Sequence, residues 1–369
     1  GQAVEGGSVV ATADTVAGLT AAVLVDLQPA PGLSAGAGWM ENALYRVEIH
    51  DDGTIASFFD KRAGREALSD RGNQIWAYVD KPRDWDAWDL EDNYADRGEE
   101  LKASSVGLVE KGPHRAAIRV TRNFRDSAIV QTYRLWANSG RLDIATEIDW
   151  HERRFLLKAR FSLAIRADYA SFECAHGVIR RATHRNTSWD VARYEVAAHR
   201  FADLSEQGYG VALLNDGKYG HHVLGNELGL SLLRSPIYPD PLADEGRQSF
   251  TYAVYPHAGD WLTGGVLAEA EDLNRPLLGQ PVKAAGPASW TAARIDGLQL
   301  GLSSFKPAED GGKLILRTYE PAGARGEVAV TLPDGWRLGR EVDLLEDDTG
   351  QPERHFLPFK VHGWTVEGS

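Results

Sequence analysis

The sequence predicts an all-β protein organised around a large antiparallel β-sandwich. Apolar and polar residues alternate through residues 142–150 and 155–165, and this period of two is typical of strands with one buried face. Turn signals separate the strands, as in the Asp-Asp-Gly of residues 51–53 between strands predicted at 43–49 and 54–59. Many strands joined by regular turns favour a sandwich or a barrel.

No long helical pattern accompanies these strands. The best short candidate runs from Leu242 to Gln248 and would form about two turns at most. A chain of 369 residues has room for about two domains. Residues 29–38 are rich in Pro, Gly, Ala and Ser, which is linker chemistry. We therefore expect residues 1–37 to form a small leading β element and a linker.

Residues 38–275 are predicted to form the large central sandwich. A second connection is expected at residues 274–289, which contain three prolines. Residues 276–369 are then predicted to form a smaller C-terminal β-domain, with strands at Lys313–Glu320 and Gly326–Leu332 on either side of a Pro-Ala-Gly turn.

Charge and cysteine content restrict the class of protein. The net charge is −13, and a chain with this acidic excess is not expected to bind nucleic acid or an anionic membrane, because both require a basic face. Cys174 is the single cysteine, so no intrachain disulfide forms, and we expect a cytoplasmic protein. The apolar residues 16–25 lack the basic flank of a signal peptide and are too few to span a bilayer.

The segment of residues 85–89, Trp-Asp-Ala-Trp-Asp, is the most informative local feature. Tryptophan beside carboxylate is typical of sugar sites, since the ring covers apolar C–H faces and the carboxylate accepts hydroxyl hydrogen bonds. Related combinations recur at residues 186–190, Asn-Thr-Ser-Trp-Asp, and at residues 215–220, Asn-Asp-Gly-Lys-Tyr-Gly.

These segments belong to a longer set of motifs that occur in one order. The set comprises residues 41–47, 60–66, 72–74, 85–89, 149–152, 186–190, 215–220, 232–246 and 250–257. In this order the chain resembles the C-terminal β-region of glycoside hydrolase family 38, the zinc-dependent α-mannosidases. The resemblance implies a galactose-mutarotase-like supersandwich with smaller flanking β-domains.

The resemblance also implies that the catalytic residues lie in a different domain. In that family an N-terminal α/β domain supplies the Asp nucleophile and the zinc ligands, and this chain has no counterpart of that domain. We therefore expect no catalytic residue, metal site or cofactor in this fragment, zinc in the catalytic domain, and no activity of this chain alone. The expected partners are a mannose-containing carbohydrate and the N-terminal catalytic domain. Self-association is expected through the surface that this domain would cover.

Ten residues are candidates for the substrate rim. They are Trp85, Asp86, Trp88, Asp89, Asn186, Trp189, Asp190, Lys218, Tyr219 and Arg247. Each has a structural alternative. The aspartates of residues 85–89 could bridge a loop, residues 186–190 and 215–219 could form turns, and Arg247 could form a surface salt bridge. A catalytic carboxylate pair about 5–5.5 Å apart is disfavoured, because 53 acidic residues supply many pairs by chance.

Neither histidine-containing motif predicts a metal site. The His-Asp-Asp of residues 50–52 falls on a hairpin turn without a second histidine nearby. His221 and His222 are adjacent, so on a strand their rings would point to opposite faces.

Two other functions remain open at this point. One is an autonomous carbohydrate-binding module that uses Trp85, Trp88 and Trp189. The other is a mutarotase-type sugar epimerase, for which His184 and Glu195 are the candidate acid and base.

Overall fold

The computed structural model describes residues 2–3, 9–10, 20–22, 32–276 and 289–368. The chain divides into two compact units. The first unit comprises Gly1–Thr12, Gln28–Glu173 and Arg180–Leu277, and the second comprises Ala13–Leu27, Cys174–Ile179 and Leu278–Ser369. None of the helices in the described ranges has the length and apolar character needed to cross a membrane.

The strands are numbered in chain order. Up to residue 258 they are β1 (Gln2–Ala3), β2 (Val9–Val10), β3 (Thr20–Ala22), β4 (Ser34–Gly36), β5 (Trp39–Glu41), β6 (Tyr45–Ile49), β7 (Ile55–Asp60), β8 (Arg65–Glu66), β9 (Gln74–Val79), β10 (Gly98–Glu100), β11 (Ser105–Lys111), β12 (Arg115–Phe124), β13 (Ser127–Trp136), β14 (Leu142–Trp150), β15 (Phe155–Ser162), β16 (Tyr169–Cys174), β17 (Gly177–Ala182), β18 (Val196–Ala197), β19 (Phe201–Glu206), β20 (Tyr209–Asn215), β21 (Gly220–Leu224), β22 (Glu227–Arg234) and β23 (Gly246–Ala258). Beyond residue 288 they are β24 (Ser289–Thr291), β25 (Arg294–Gly297), β26 (Gly301–Pro307), β27 (Leu314–Tyr319), β28 (Gly326–Thr331), β29 (Trp336–Val342), β30 (Asp348–Gly350), β31 (His355–Phe356) and β32 (Val361–Gly368).

Three antiparallel sheets form most of the first unit. A nine-stranded sheet has the order β11-β12-β13-β14-β23-β20-β19-β16-β17, and a six-stranded sheet has the order β10-β9-β15-β22-β21-β18. A five-stranded sheet runs β4-β5-β6-β7-β8 in sequence order. The predicted hairpin at residues 51–53 joins β6 to β7. This architecture confirms the all-β, antiparallel prediction.

The main core lies between these sheets. Strand β13 alternates between buried and half-buried residues along its whole length, as expected for a strand with one core face. Phe161 of the six-stranded sheet meets Tyr252 of the nine-stranded sheet edge-on, with ring centroids 6.4 Å apart. A fully buried Arg122 donates to the carbonyl of Gly53 at 2.8 Å and to Gln131 at 2.8 Å, so the 51–53 turn is tied to the core.

Helices are short in the described residues. They are α1 (Ser188–Val191), α2 (Val266–Asn274) and a 3-10 turn at Tyr94–Arg97. The helix predicted at Leu242–Gln248 is wrong, since this segment forms a turn and then enters β23. Helix α2 was missed because nine residues give little more than two turns of periodicity. Arg141 holds it through Glu269 and Asp272, at 3.0 and 2.7 Å.

The predicted connections are only partly described. Residues 34–36 of the expected 29–38 linker form strand β4, which pairs with β5, so the linker prediction is wrong there. Residues 29–31 lie outside the described residues. The same holds for residues 277–288 of the expected 274–289 connection.

The second unit is also built from antiparallel β-sheet. One sheet has the order β26-β27-β32-β29-β30, and a smaller one has the order β25-β28-β31. Their core includes Leu316, Val328, Phe356 and Trp364. The strands expected around the Pro-Ala-Gly turn are present as β27 and β28, but they belong to different sheets. Strand β3 pairs with β24.

Candidate functional site

The Trp85–Asp89 segment, named here the tryptophan loop, follows strand β9. The backbone N–H groups of Trp88 and Asp89 both donate to the carbonyl of Trp85, at 2.7 and 2.9 Å, which closes a tight turn. Trp85 has a φ of 55°, a backbone conformation uncommon for a non-glycine residue. The indole rings remain outside the core, with Trp85 67% and Trp88 64% exposed. Large exposed apolar rings on a fixed turn are typical of a binding surface.

Arg234, at the end of β22, fixes this loop. Its guanidinium forms an ion pair with the buried Asp80 and donates to the carbonyls of Asp86 (3.0 Å), Ala87 (3.2 Å) and Asp89. Burial raises the pKa of Asp80, whereas the bonds from Arg234 oppose that rise. The loop backbone is therefore held by a charge that is itself anchored inside the protein.

The two aspartates of the loop differ in their surroundings. Asp86 Oδ2 accepts a hydrogen bond from the backbone N–H of Ile237 at 2.6 Å, and Arg154 lies 3.5 Å from its other oxygen. The Asp86 carboxylate thus joins the tryptophan loop to the chain that follows β22. Asp89 is exposed. The geometry of Asp86 is that of the loop-bridging alternative.

Lys218 is connected to the tryptophan loop by hydrogen bonds that pass through the residues between them in space. Asn215 accepts from the backbone N–H groups of Gly217 and Lys218, at 3.0 and 2.8 Å, and so forms the local turn. The Lys218 ammonium lies over the ring of Phe250, 4.3 Å from its centroid, and donates to Gln248 at 3.1 Å. Burial lowers the pKa of Lys218.

Gln248 completes the connection. Its amide donates to the carbonyl of Asp244 at 2.9 Å, and the Asp244 carboxylate accepts from the backbone N–H of Arg234 at 2.8 Å. Lys218 and the tryptophan loop are therefore joined by an unbroken series of hydrogen bonds through Gln248, Asp244 and Arg234. Neither Arg234 nor Gln248 was among the sequence candidates.

Arg247 and Tyr219 lie beside this series. Arg247 is directly opposite Asp149 in the β14–β23 register, and its Nε lies 3.6 Å from the Asp149 carboxylate. Its side chain is 90% exposed, which is the geometry of the surface salt bridge alternative. Tyr219 is exposed and lies against His199, with ring centroids 5.5 Å apart.

The remaining candidates, Asn186, Trp189 and Asp190, lie elsewhere in the first unit. Thr187 and Asp190 form a capping box at the start of α1, with Thr187 Oγ1 2.7 Å from Asp190 Oδ2. Asp190 lines a pocket together with His222, while Trp189 is 77% exposed. Of the sequence candidates, Lys218 is thus joined by hydrogen bonds to the tryptophan loop, whereas Asn186, Trp189 and Asp190 lie at α1.

A third set of polar residues was not predicted as a group. The ammonium of Lys158, on β15, is fully buried and forms an ion pair with Glu195. Glu195 also accepts from Ser231 at 2.8 Å and lies 3.4 Å from the hydroxyl of Tyr94. Burial lowers the pKa of Lys158, and contact with the Glu195 carboxylate favours its charged form.

His222 forms the other side of this set. Lys158 Nζ lies 2.7 Å from His222 Nδ1, and His222 Nε2 lies 2.8 Å from Glu227 Oε1. An ammonium only donates and a carboxylate only accepts, so the ring is neutral, with its proton on Nε2. Burial lowers the pKa of His222 to about 4. Burial would raise the pKa of Glu227, but hydrogen bonds from His222 and Arg160 outweigh it and lower the pKa to about 2.

The acid and base considered for an epimerase each have a different neighbour. His184 lies 3.9 Å from Asp190, whereas Glu195 lies 3.6 Å from His222. The Glu195 carboxylate already accepts from Lys158 and Ser231.

Among the described residues, Glu341, Glu353 and His362 in the second unit are close enough to share a metal ion. His362 Nδ1 lies 2.8 Å from Glu341 Oε1, a contact in which the ring nitrogen must donate its proton. His362 Nε2 lies 3.3 Å from the carbonyl oxygen of His355, and Glu353 is exposed, so these groups have ordinary structural surroundings.

Comparison with known families agrees with the fold and with the motif order. Residues 40–242 match the family described as "Glycosyl hydrolases family 38 C-terminal domain". Residues 299–364 match the "Glycosyl hydrolases family 38 C-terminal beta sandwich domain". The first match alone covers more than half of the chain.

Individual proteins give the same result. The chain is 39% identical over 320 residues to human Alpha-mannosidase 2C1, covering 84% of this chain and 31% of the human protein. It is 38% identical over 329 residues to the Alpha-mannosidase of Saccharomyces cerevisiae, covering 81% of this chain and 30% of the yeast protein. The chain thus spans about a third of the length of these curated relatives.

Solved structures support the fold. The crystal structure of an alpha-mannosidase from Enterococcus faecalis V583 superimposes with a TM-score of 0.75 at 15% identity, covering 90% of this chain and 43% of that chain. A second glycosyl hydrolase family 38 protein from Enterococcus faecalis gives a TM-score of 0.76 at 14% identity, covering 90% of this chain and 44% of that chain. From the family match and these relatives, the chain belongs to glycosyl hydrolase family 38, of which it carries the C-terminal domains.

Proposed function

We propose that this chain is the C-terminal region of an α-mannosidase that hydrolyses α-mannosides with retention of configuration. Its first role is to support an N-terminal catalytic domain, which supplies the nucleophile and zinc. Its second role is to lend residues to the rim of the substrate site. The chain alone is proposed to be inactive, because the nucleophile and the zinc ligands belong to that catalytic domain; Asp86 and His222 have structural contacts. The proposed partners are that domain and a mannose-containing carbohydrate.

One observation carries the rim role. Trp85 and Trp88 are exposed on a turn whose backbone is fixed by Arg234 and the buried Asp80. A rigid aromatic surface loses little conformational entropy when it covers a sugar ring. The single cysteine, Cys174, supports a cytoplasmic location, where thiols remain reduced.

The test is hydrolysis of an aryl α-mannoside in the presence of zinc. The purified chain should give no turnover above background. Fusing it to, or mixing it with, its N-terminal catalytic half should give turnover. A well-folded full-length protein that fails on every α-mannoside would overturn the proposal. Turnover by this chain alone would show that the chemistry lies within it.

The exposed tryptophans also favour a second candidate, an autonomous carbohydrate-binding module. The two functions are distinguished by calorimetry of this chain with mannose and manno-oligosaccharides. Saturable heat from the isolated chain would support the binding module. The absence of both heat and a tryptophan fluorescence change at millimolar sugar would leave the supporting role.

A further inference from the structure

An open pocket lies at the edge of the six-stranded sheet in the first unit, beside strands β18 and β21 and helix α1. It is lined by Phe172, Arg181, Ala182, His184, Arg185, Asp190, Arg193, Val196, His222 and Val223. The lining combines three arginines and two histidines with a single carboxylate. This composition is opposite in sign to the chain as a whole, whose net charge is −13.

The carboxylate in the lining does not neutralise this excess. Asp190 Oδ2 accepts from the backbone N–H and hydroxyl of Thr187, at 3.2 and 2.7 Å. Asp190 Oδ1 accepts from Arg193 at 3.3 Å. Asp190 is therefore committed to the capping box and to one arginine, and it balances at most one positive charge.

Arg185 is the arginine that remains for a ligand. Its guanidinium lies over the ring of Tyr194, 5.8 Å from the centroid, and across the described ranges it forms no ion pair. Stacking on a ring holds the planar guanidinium while leaving its N–H groups free to donate. An exposed arginine with one face supported is well placed to bind an oxyanion with two parallel hydrogen bonds.

The neighbouring His184 also indicates a ligand site. His184 Nδ1 is buried and has no hydrogen-bond partner within the part of the chain that the structure describes; Asp190 Oδ2 lies 3.9 Å away, beyond hydrogen-bond distance. Buried polar atoms are normally paired, and a ligand or water is the usual partner where protein supplies none. On the opposite wall the ring of His222 is neutral. The Lys158 ammonium lies behind it at 2.7 Å and is paired with Glu195, and Glu227 accepts from His222 Nε2 at 2.8 Å.

We propose that this pocket binds an oxyanion, the phosphate or carboxylate group of a small metabolite or glycan, with Arg185 as the principal ligand. His184 provides a further hydrogen bond, and the arginine-rich wall attracts the anion electrostatically. The proposal does not depend on a rim role for the tryptophan loop, although Asp190, which lines the pocket, is also one of the rim candidates.

The test is isothermal titration calorimetry of the full chain with inorganic phosphate and, separately, with sodium acetate, each against sodium chloride at equal ionic strength. Saturable binding of at least one oxyanion is expected. Arg185→Gln should weaken it at least tenfold, and Arg185→Lys should lose only part of it, since the charge is kept and the fork is lost. Binding of phosphate without acetate would identify a phosphate group, and binding of both would identify a carboxylate-compatible site.

Arg153→Gln is the matched control. Arg153 is exposed, does not line the pocket, and lies 3.5 Å from Glu245. This variant should bind the oxyanions as the unaltered chain does. An unchanged thermal midpoint without ligand shows that each variant is folded. The proposal is overturned if neither oxyanion binds saturably, or if Arg185→Gln and Arg153→Gln have the same effect.

Discussion

Arg234 and Asp80 form an ion pair between positions 154 residues apart, and this pair holds the backbone of the tryptophan loop. Asp80 is 2% exposed and the Arg234 side chain 21% exposed. The buried end of the pair fixes the arginine, and the arginine in turn donates to the carbonyls of Asp86, Ala87 and Asp89 in the loop.

We predict that Arg234→Gln destabilises the protein by about 2–4 kcal/mol, because it leaves the Asp80 carboxylate buried without its partner. Arg247→Gln is the control, since its guanidinium is exposed, and its cost should stay within about 0.5 kcal/mol. Urea denaturation of both variants measures the difference. Equal stabilities would mean that the Arg234 pair does not hold the loop.

If the tryptophan loop belongs to the substrate rim, Trp88→Ala in the full-length enzyme should raise KM for an aryl α-mannoside about two- to tenfold. The value of kcat and the thermal midpoint should change little, because the ring is exposed and contributes little to the core. Trp336→Ala, at an exposed tryptophan of the second unit, should leave KM unchanged. A fall in kcat without a change in KM would contradict a rim role.

Acid should weaken the first unit through its buried histidines. Burial lowers the pKa of His221 to about 3 and that of His222 to about 4, from an ordinary value of 6.5. Below pH 6.5 the unfolded chain binds protons at these rings and the folded protein does not. The free energy of unfolding should therefore fall between pH 6.5 and 4, by at most about 1.4 kcal/mol per pH unit for each histidine.

His222→Gln should reduce this pH dependence, whereas His151→Gln, at an exposed ring, should not. Urea denaturation at pH 7 and pH 5 gives the comparison. The low pKa of Glu227 acts in the same direction at lower pH, since its stabilising contribution is present above pH 4.5 and is lost as the pH falls toward 2. If the free energy of unfolding changes with pH equally in both histidine variants, His222 is excluded as the source of the pH dependence.

The Lys158–Glu195 pair predicts a pH dependence of stability above pH 7, whereas the histidines act below pH 6.5. Glu195→Gln should destabilise the protein by about 3 kcal/mol at pH 7, because it leaves the buried Lys158 ammonium without its anion. Burial already lowers the pKa of Lys158. Removal of the Glu195 carboxylate lowers it further, so the variant releases this proton at a lower pH than the unaltered protein does. The loss should therefore be smaller at pH 9 than at pH 7. A loss that is constant or grows with pH would contradict a charged Lys158.

The isolated chain should self-associate through the tryptophan loop and its neighbours. Tyr238 and Leu242 are exposed on the segment that Asp86 joins to this loop. Apolar surfaces of this kind are typical of obligate interfaces. Light scattering after gel filtration should show a concentration-dependent mass, which Leu242→Asp should reduce. A strict monomer at high concentration would argue against an apolar docking surface.

Several elements were predictable because their signals are local. The alternation at residues 142–150 corresponds to β14, and the turn at residues 51–53 joins β6 to β7. Helix α2 and strand β4 were not recognised, since nine and three residues are too short for their periodicity to stand out. The wrong helix at residues 242–248 lies in a segment whose shape is set by contacts such as that between Asp244 and Arg234.

Lys158 shows more clearly why local sequence patterns do not predict every buried residue. It occupies a polar position in an alternating strand, and such a position is usually solvated. In the structure β15 is buried on both faces over its first five residues, because Tyr94 and Glu195 cover the polar side. Pairing Lys158 with those residues requires contacts across 64 and 37 positions of the chain.

The sequence by itself determined the all-β class, several strand positions and the family, because strand alternation, turn residues and motif order are properties of neighbouring residues. Only the tertiary structure decided that Asp190 lines a pocket with His222, while Trp85 and Trp88 are exposed on a separate turn. It alone also joined Lys218 to the tryptophan loop through Gln248, Asp244 and Arg234, and gathered three arginines around one pocket. Antiparallel sheets bring together residues that are far apart in the chain, and no local pattern records which of them will meet.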